Sequence, residues 1–136
     1  MSRAPGKAAF RAMVELAREA RRHAHAPYSG FKVGSALRTK AGEIVTGCNI
    51  ENASFGLTMC AERVAVFKAV SEGLREFDAV VVLADSRRHT APCGPCRQIL
   101  WEFCGDVWVH MVGHGGRART MKLRELLPLP FDGGNL

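Results

Sequence analysis

The chain has 136 residues, 47% of them hydrophobic and 24% charged, with a formal net charge of +6. That length fits one domain over residues 1–136, able to bury about two-thirds of its unfolded surface, and the composition is ordinary for a globular protein. No apolar run reaches the ~18 residues of a membrane span. The start, Met1 to Lys7 followed by Glu15 and Glu19, resembles neither a signal peptide nor a transit peptide, so a cytoplasmic protein is expected.

The basic residues are spread over small clusters, Arg21-Arg22, Arg87-Arg88 and Arg117 with Arg119. This reads as solvated surface charge, and nucleic acid is not expected as a partner. Five cysteines occur, Cys48, Cys60, Cys93, Cys96 and Cys104. An odd count without a secretion signal argues against a disulfide framework and favours metal binding or catalysis.

In chain order, Ala8, Ala9, Met13, Leu16, Ala17 and Ala20 recur near helical spacing and predict a helix over 7–22. The segment Ala26-Pro27-Tyr28-Ser29-Gly30 breaks the pattern. Phe31, Val33, Ser35 and Leu37 alternate with other residues as in a strand, Lys40 to Glu43 form a turn, and 44–50 return as a second strand. Thr58 is a candidate cap for a helix over about 60–71 that Glu72-Gly73 ends. The run AVVVLA at 79–84 suits a strand buried on both faces. A helix from near Cys93 to before Gly105, strands at 107–112 and 119–121, and a short helix at 123–127 stopped by Pro128 and Pro130 complete the chain. The strand–helix–strand alternation implies parallel pairing and the first hairpin antiparallel pairing. The expected fold is therefore α/β, a mixed, mostly parallel-ended five-stranded sheet covered by helices on both faces.

Two clusters carry chemistry, Cys60-Ala61-Glu62-Arg63 and Pro92-Cys93-Gly94-Pro95-Cys96-Arg97-Gln98, each at a predicted helix start. Cys93 and Cys96 have the spacing of a zinc pair, and residues three apart share a helix face. Free N–H groups at a helix N-terminus also stabilise thiolates. Cys60 would add a third sulfur, leaving the fourth position open as in catalytic zinc sites. Glu62 is the candidate proton carrier. It follows Cys60 by two residues, about 200° around a regular helix, so Cys60 must precede the settled helix if both are to face one site. The joint pattern matches that of zinc deaminases, which combine three-Cys or His/Cys/Cys ligation with a non-ligating Glu.

With these motifs the chain resembles the small, homotetrameric cytidine deaminases, through APYSGFKVGSAL (26–37), GCNIENASFGLTMCAERVAVFKAVSEG (47–73), APCGPCRQILWEF (91–103) and LLPLPF (126–131). The resemblance implies a three-layer α/β/α fold and one zinc ion per chain held by Cys60, Cys93 and Cys96, with Glu62 as general acid and base. It implies that Phe31 packs beside the pyrimidine, that Asn49 and Glu51 bond the ribose hydroxyls, and that Ala61 also contacts substrate. Arg63 and Gln98 would act from behind the ligands, and Phe131 would reach a neighbouring subunit's site in a homotetramer. Phe55 stands where some relatives carry Tyr. The implied reaction is hydrolytic deamination of free cytidine or deoxycytidine, in pyrimidine salvage, by zinc-bound hydroxide with a glutamate proton shuttle. Three thiolates weaken zinc as a Lewis acid, and an adjacent arginine restores part of that power.

Taken singly, Phe31 reads as core, Asn49 as a turn residue, Glu51 as an exposed charge and Phe131 as a tail anchor; only the shared motif context gives them site roles. Two alternatives stand beside the leading one. The same chemistry could serve a nucleotide, RNA or DNA, or a cytosine-containing antibiotic. A non-catalytic structural-zinc module would instead need a fourth ligand from Cys48, Cys104 or His89. The other histidines, His23, His25, His110 and His114, show no ligand pairing, and Cys48 and Cys104 read as unligated thiols.

Overall fold

The computed structural model describes residues 3–136. Helix α1 (Lys7–Arg21) is followed by strands β1 (Val33–Thr39) and β2 (Ile44–Cys48), helix α2 (Ala61–Ser71), strand β3 (Phe77–Ala84) and helix α3 (Gly94–Cys104). Strands β4 (Trp108–Val112) and β5 (Ala118–Lys122) and the short helix α4 (Leu123–Leu126) follow. The five strands form one sheet in the order β2-β1-β3-β4-β5.

β1 is antiparallel to both β2 and β3, β3 is parallel to β4, and β4 is antiparallel to β5. Hence β2, β3 and β4 all point the same way, as two strand–helix–strand connections require. Only β3 and β4 are parallel neighbours, because β1 lies between β2 and β3. That interior position also explains β1's burial. Six of its seven residues are buried, whereas alternation alone predicts a half-exposed strand.

The sheet separates two apolar layers. On one side Leu37, Val45, Val80, Val109 and Met111 pack with Ala65, Val66 and Ala69 of α2, Leu100 of α3 and Leu123 of α4. On the other, Ala36, Ala79, Val81, Leu83 and Val112 pack with Met13 and Ala17 of α1. Alternate residues of β3 thus feed opposite layers, the period-2 geometry of a strand covered on both faces. The architecture is the expected mixed sheet with helices on both faces. None of the described helices is long and apolar enough to cross a membrane.

α1 lies very close to β1 because Gly34 has no side chain. A Cβ there would sit 1.9 Å from the Ala17 carbonyl oxygen and 3.0 Å from the Arg21 Cβ. Gly34→Ala must lift α1 off the sheet, and is expected to destabilise the protein by about 3 kcal/mol, the upper end for overpacking. Urea unfolding that shows wild-type stability would contradict this contact. Gly47 plays the same part on the opposite face, where a Cβ would meet the Ala61 carbonyl oxygen at 2.4 Å and the Ala65 nitrogen at 2.6 Å. This close approach seats the first turn of α2 against β2.

Candidate metal centre and substrate cleft

β2 and β3 run in the same direction, so the connections leaving their carboxyl ends emerge at one edge of the sheet. These connections deliver the first turns of α2 and α3, and the start of antiparallel β1 lies at the same edge. Such edges are where open α/β sheets bind ligands.

Both helix starts present cysteine. Cys60 is the N-cap of α2, with φ −74° and ψ 155°, and Cys93 is the N-cap of α3, with φ −66° and ψ 168°. Both are extended, so Cys60 does precede the settled helix, as its spacing from Glu62 demands. Thr58, the candidate cap, instead accepts a hydrogen bond from the Asn52 N–H at 3.1 Å; it belongs to the preceding loop, because the chain stays extended through Cys60.

The sulfurs of Cys60, Cys93 and Cys96 all lie within 4.8 Å of one another. Cys60 Sγ is 3.6 Å from Cys93 Sγ, which is 3.2 Å from Cys96 Sγ. Thiolates on a tetrahedral zinc at ~2.3 Å stand roughly 3.8 Å apart, so this donor set fits that ion with small adjustments. Among the described residues the cluster comprises these three side chains. Cys48, Cys104 and His89 do not join it, so the fourth ligand of a closed structural site is not supplied.

The sulfurs also share protons unequally. The Cys60 thiol is pulled down to about 5, chiefly by a hydrogen bond from Cys96, with further help from Arg63 and Cys93. Cys96 is pushed up by the same hydrogen bond and by burial. Arg63 donates from Nη2 to Cys60 Sγ at 3.2 Å, which places a cation beside the sulfur. Cys48 and Cys104, away from the cluster, are partly buried. Burial raises both thiols, Cys104 to about 12.

Glu62, in the first turn of α2, is 3% exposed. Burial, reinforced by the nearby Cys60 charge, pushes its carboxyl up to about 7, against its own backbone N–H. A carboxylic acid tuned to this range can both give and take a proton near neutrality. It lines a cleft of about 250 Å³ together with Cys60, Cys93, Ala61, Phe31, Asn49 and Glu51. The cleft therefore gathers most of the residues singled out in the sequence.

Their contacts are more local than the motif suggests. Asn49 is 8% exposed; its Oδ1 accepts from the Val33 N–H at 2.8 Å and its Nδ2 donates to the Phe31 carbonyl at 2.7 Å. This clamp sets the approach of Phe31, which remains half-exposed over the cleft. Glu51 accepts from the Tyr28 N–H at 2.9 Å, the Ser29 N–H at 3.1 Å and the Ser29 hydroxyl. The Ser29 hydrogen bond is the main reason its carboxyl lies below the usual range.

Two predicted residues lie elsewhere. Gln98 is not part of the cleft lining, and its Nε2 donates to the Phe131 carbonyl at 2.8 Å. Phe131 is 62% exposed and is not part of the cleft lining of its own chain. The cleft wall also contains Ser29, Met59 and Thr90, which no periodicity or spacing singled out, and Thr58, which the sequence singled out only as a helix cap. Ser29 had one available signal, its place between Pro27 and Gly30 in the first motif.

Three converging thiols beside a buried carboxylic acid make up a metal-dependent hydrolytic centre. A family model for the cytidine and deoxycytidylate deaminase zinc-binding region matches residues 9–111, and the chain belongs to this family of zinc-dependent deaminases. It is 48% identical over 120 residues to the cytidine deaminase of Halalkalibacterium halodurans, covering 88% of this chain and 91% of that protein. It is 36% identical over 107 residues to the blasticidin-S deaminase of Bacillus cereus, covering 73% of this chain and 76% of that one. The crystal structure of cytidine deaminase from Burkholderia pseudomallei superposes with a TM-score of 0.87 at 44% identity, over 89% of this chain and 98% of that one.

Proposed function

We propose that this protein hydrolyses free cytidine and deoxycytidine to the uridine products and ammonia, with Cys60, Cys93 and Cys96 holding one zinc ion and Glu62 moving the protons. One observation carries the assignment: three sulfurs lie within 4.8 Å of one another, and two of them, Cys60 and Cys93, share a cleft with the buried carboxyl of Glu62. When bound, zinc supplies Lewis-acid activation of water. Glu62 takes one proton from the attacking water and places it on ring N3 as the water oxygen bonds to C4; it then takes the second proton from the new C4 hydroxyl and gives it to the N4 amine, so that the C4–N4 bond breaks, ammonia leaves and the C4 carbonyl forms. Such proton transfer contributes about 10²–10⁴ in rate. Arg63 offsets thiolate charge at Cys60. Phe31 covers the pyrimidine, Ala61 lines its pocket, and Asn49 and Glu51 meet the ribose hydroxyls with the lone pairs and N–H that their backbone contacts leave over.

Assembly and location follow from the same reading. A homotetramer with shared sites gives a partner to Phe131, Leu129 and Leu136, which are 62%, 99% and 96% exposed. A single-chain mass by light scattering at micromolar concentration would contradict it. Five free cysteines, three of them in the metal cluster, suit the reducing cytoplasm.

The deciding experiment follows the ultraviolet change as zinc-loaded protein converts cytidine, with blasticidin S and a single-stranded oligonucleotide as competitors. Rapid conversion of cytidine, weakly inhibited by either competitor, is the expected result. No conversion with one zinc per chain bound would overturn the nucleoside assignment and leave the metal assignment standing.

A further inference from the structure

We infer that Arg97 is a positioning residue of the metal centre, holding both peptide groups that flank Cys93 and bracing them against the C-terminal helix. This rests on the assignment of Cys93 as a zinc ligand. Cys93 is exposed and ends a connection, residues 85–93, with no regular secondary structure, so strand pairing does not set its backbone, and the burial of Pro92 anchors that connection on one side only. Arg97 sets that backbone. Its backbone N–H donates to the Cys93 carbonyl at 3.0 Å, and its Nε donates to the Pro92 carbonyl at 2.8 Å. Those carbonyls belong to the peptide planes on either side of the Cys93 Cα, so fixing both fixes φ, ψ and the direction of the Cα–Cβ bond, from which the sulfur reaches the cluster by one remaining rotation.

The same guanidinium reaches a second element. Its Nη1 donates to the Leu126 carbonyl at 2.8 Å, at the end of α4. That helix is well anchored. Leu123 is fully buried and its N–H meets the Val107 carbonyl at 2.9 Å, while the Arg124 N–H meets Asp106 Oδ1 at 2.9 Å. Arg97 therefore fastens the exposed zinc ligand to a fixed point of the core. A planar fork can reach two carbonyls in different directions, whereas the compact ammonium of lysine cannot do so with the same geometry.

The test compares zinc-loaded wild type, Arg97→Lys and Arg97→Gln in excess chromogenic chelator, beside Trp101→Phe. The last variant removes a different bond between α3 and the C-terminal segment, Trp101 Nε1 to Asp132 Oδ2 at 2.9 Å. Both Arg97 variants are expected to release zinc about 10–100-fold faster, the usual effect of losing a residue that orients a ligand, while Trp101→Phe releases it at the wild-type rate. The cobalt-substituted Arg97→Lys protein should show an altered visible ligand-field band, reporting changed geometry at the sulfurs. Wild-type release from both Arg97 variants would overturn the proposal. So would equally fast release from Trp101→Phe, which would mean general loosening of α3. Should Arg97→Gln not fold, Arg97→Lys decides alone, and an unchanged cobalt spectrum counts against the brace. If wild type binds no zinc, or keeps it after Cys93→Ala, the ligand assignment fails instead, and the two failures are told apart without measuring turnover.

Discussion

Glu62→Gln is expected to lose cytidine turnover by at least about 10²–10⁴-fold, equivalent to roughly 3–5 kcal/mol of barrier, while keeping one zinc per chain. Glutamine has nearly the same shape and cannot shuttle a proton. The side chain is 3% exposed and burial already pushes the carboxyl toward its neutral form, so an uncharged amide avoids the cost of burying a carboxylate charge. The thermal midpoint should accordingly stay level or rise, separating loss of chemistry from loss of structure. Steady-state kinetics with zinc analysis check this. Turnover near the wild-type level would remove Glu62 from the mechanism.

Cys96→Ser should be equally damaging by a different route. Cys96 is fully buried, with its sulfur 3.2 Å from that of Cys93. Serine supplies a hydroxyl that does not ionise near neutrality, so the site keeps two thiolates of three. Zinc should be lost during mild chelation and activity with it. The stabilisation that zinc confers on wild type, about 4 kcal/mol at a free concentration 1,000 times Kd, should vanish from thermal scans. Cys104→Ala is the control, since Cys104 lies outside the cluster and burial alone shifts its thiol. Zinc retained by Cys104→Ala and lost by Cys96→Ser would exclude the structural-zinc alternative that recruits Cys104. Loss of zinc from both variants would revive it.

Much of this protein is legible one segment at a time. The period-3.6 and period-2 patterns place α1, β1, β3, α3 and β4 within a few residues, because such patterns record which face each element buries. The two cysteine clusters announce their chemistry through spacing, and the two-residue step from Cys60 to Glu62 carries a geometric demand that the extended Cys60 backbone meets. What spacing cannot encode is which distant group each side chain meets. The interior place of β1 depends on pairing with both β2 and β3, at separations no local pattern reports. Asn49 clamping the Phe31–Val33 backbone, Gln98 bonding the Phe131 carbonyl of the tail, and Arg97 bridging Pro92 to Leu126 are likewise decided only when the layers pack. The sequence by itself pointed to the elements, the metal-binding residue types and the candidate proton carrier, because these follow from local periodicity and ligand chemistry. The tertiary structure alone decided the strand order and the partners of the polar side chains, because a hydrogen bond depends on where its acceptor lies in space, and here those acceptors come from chain segments up to 46 residues away.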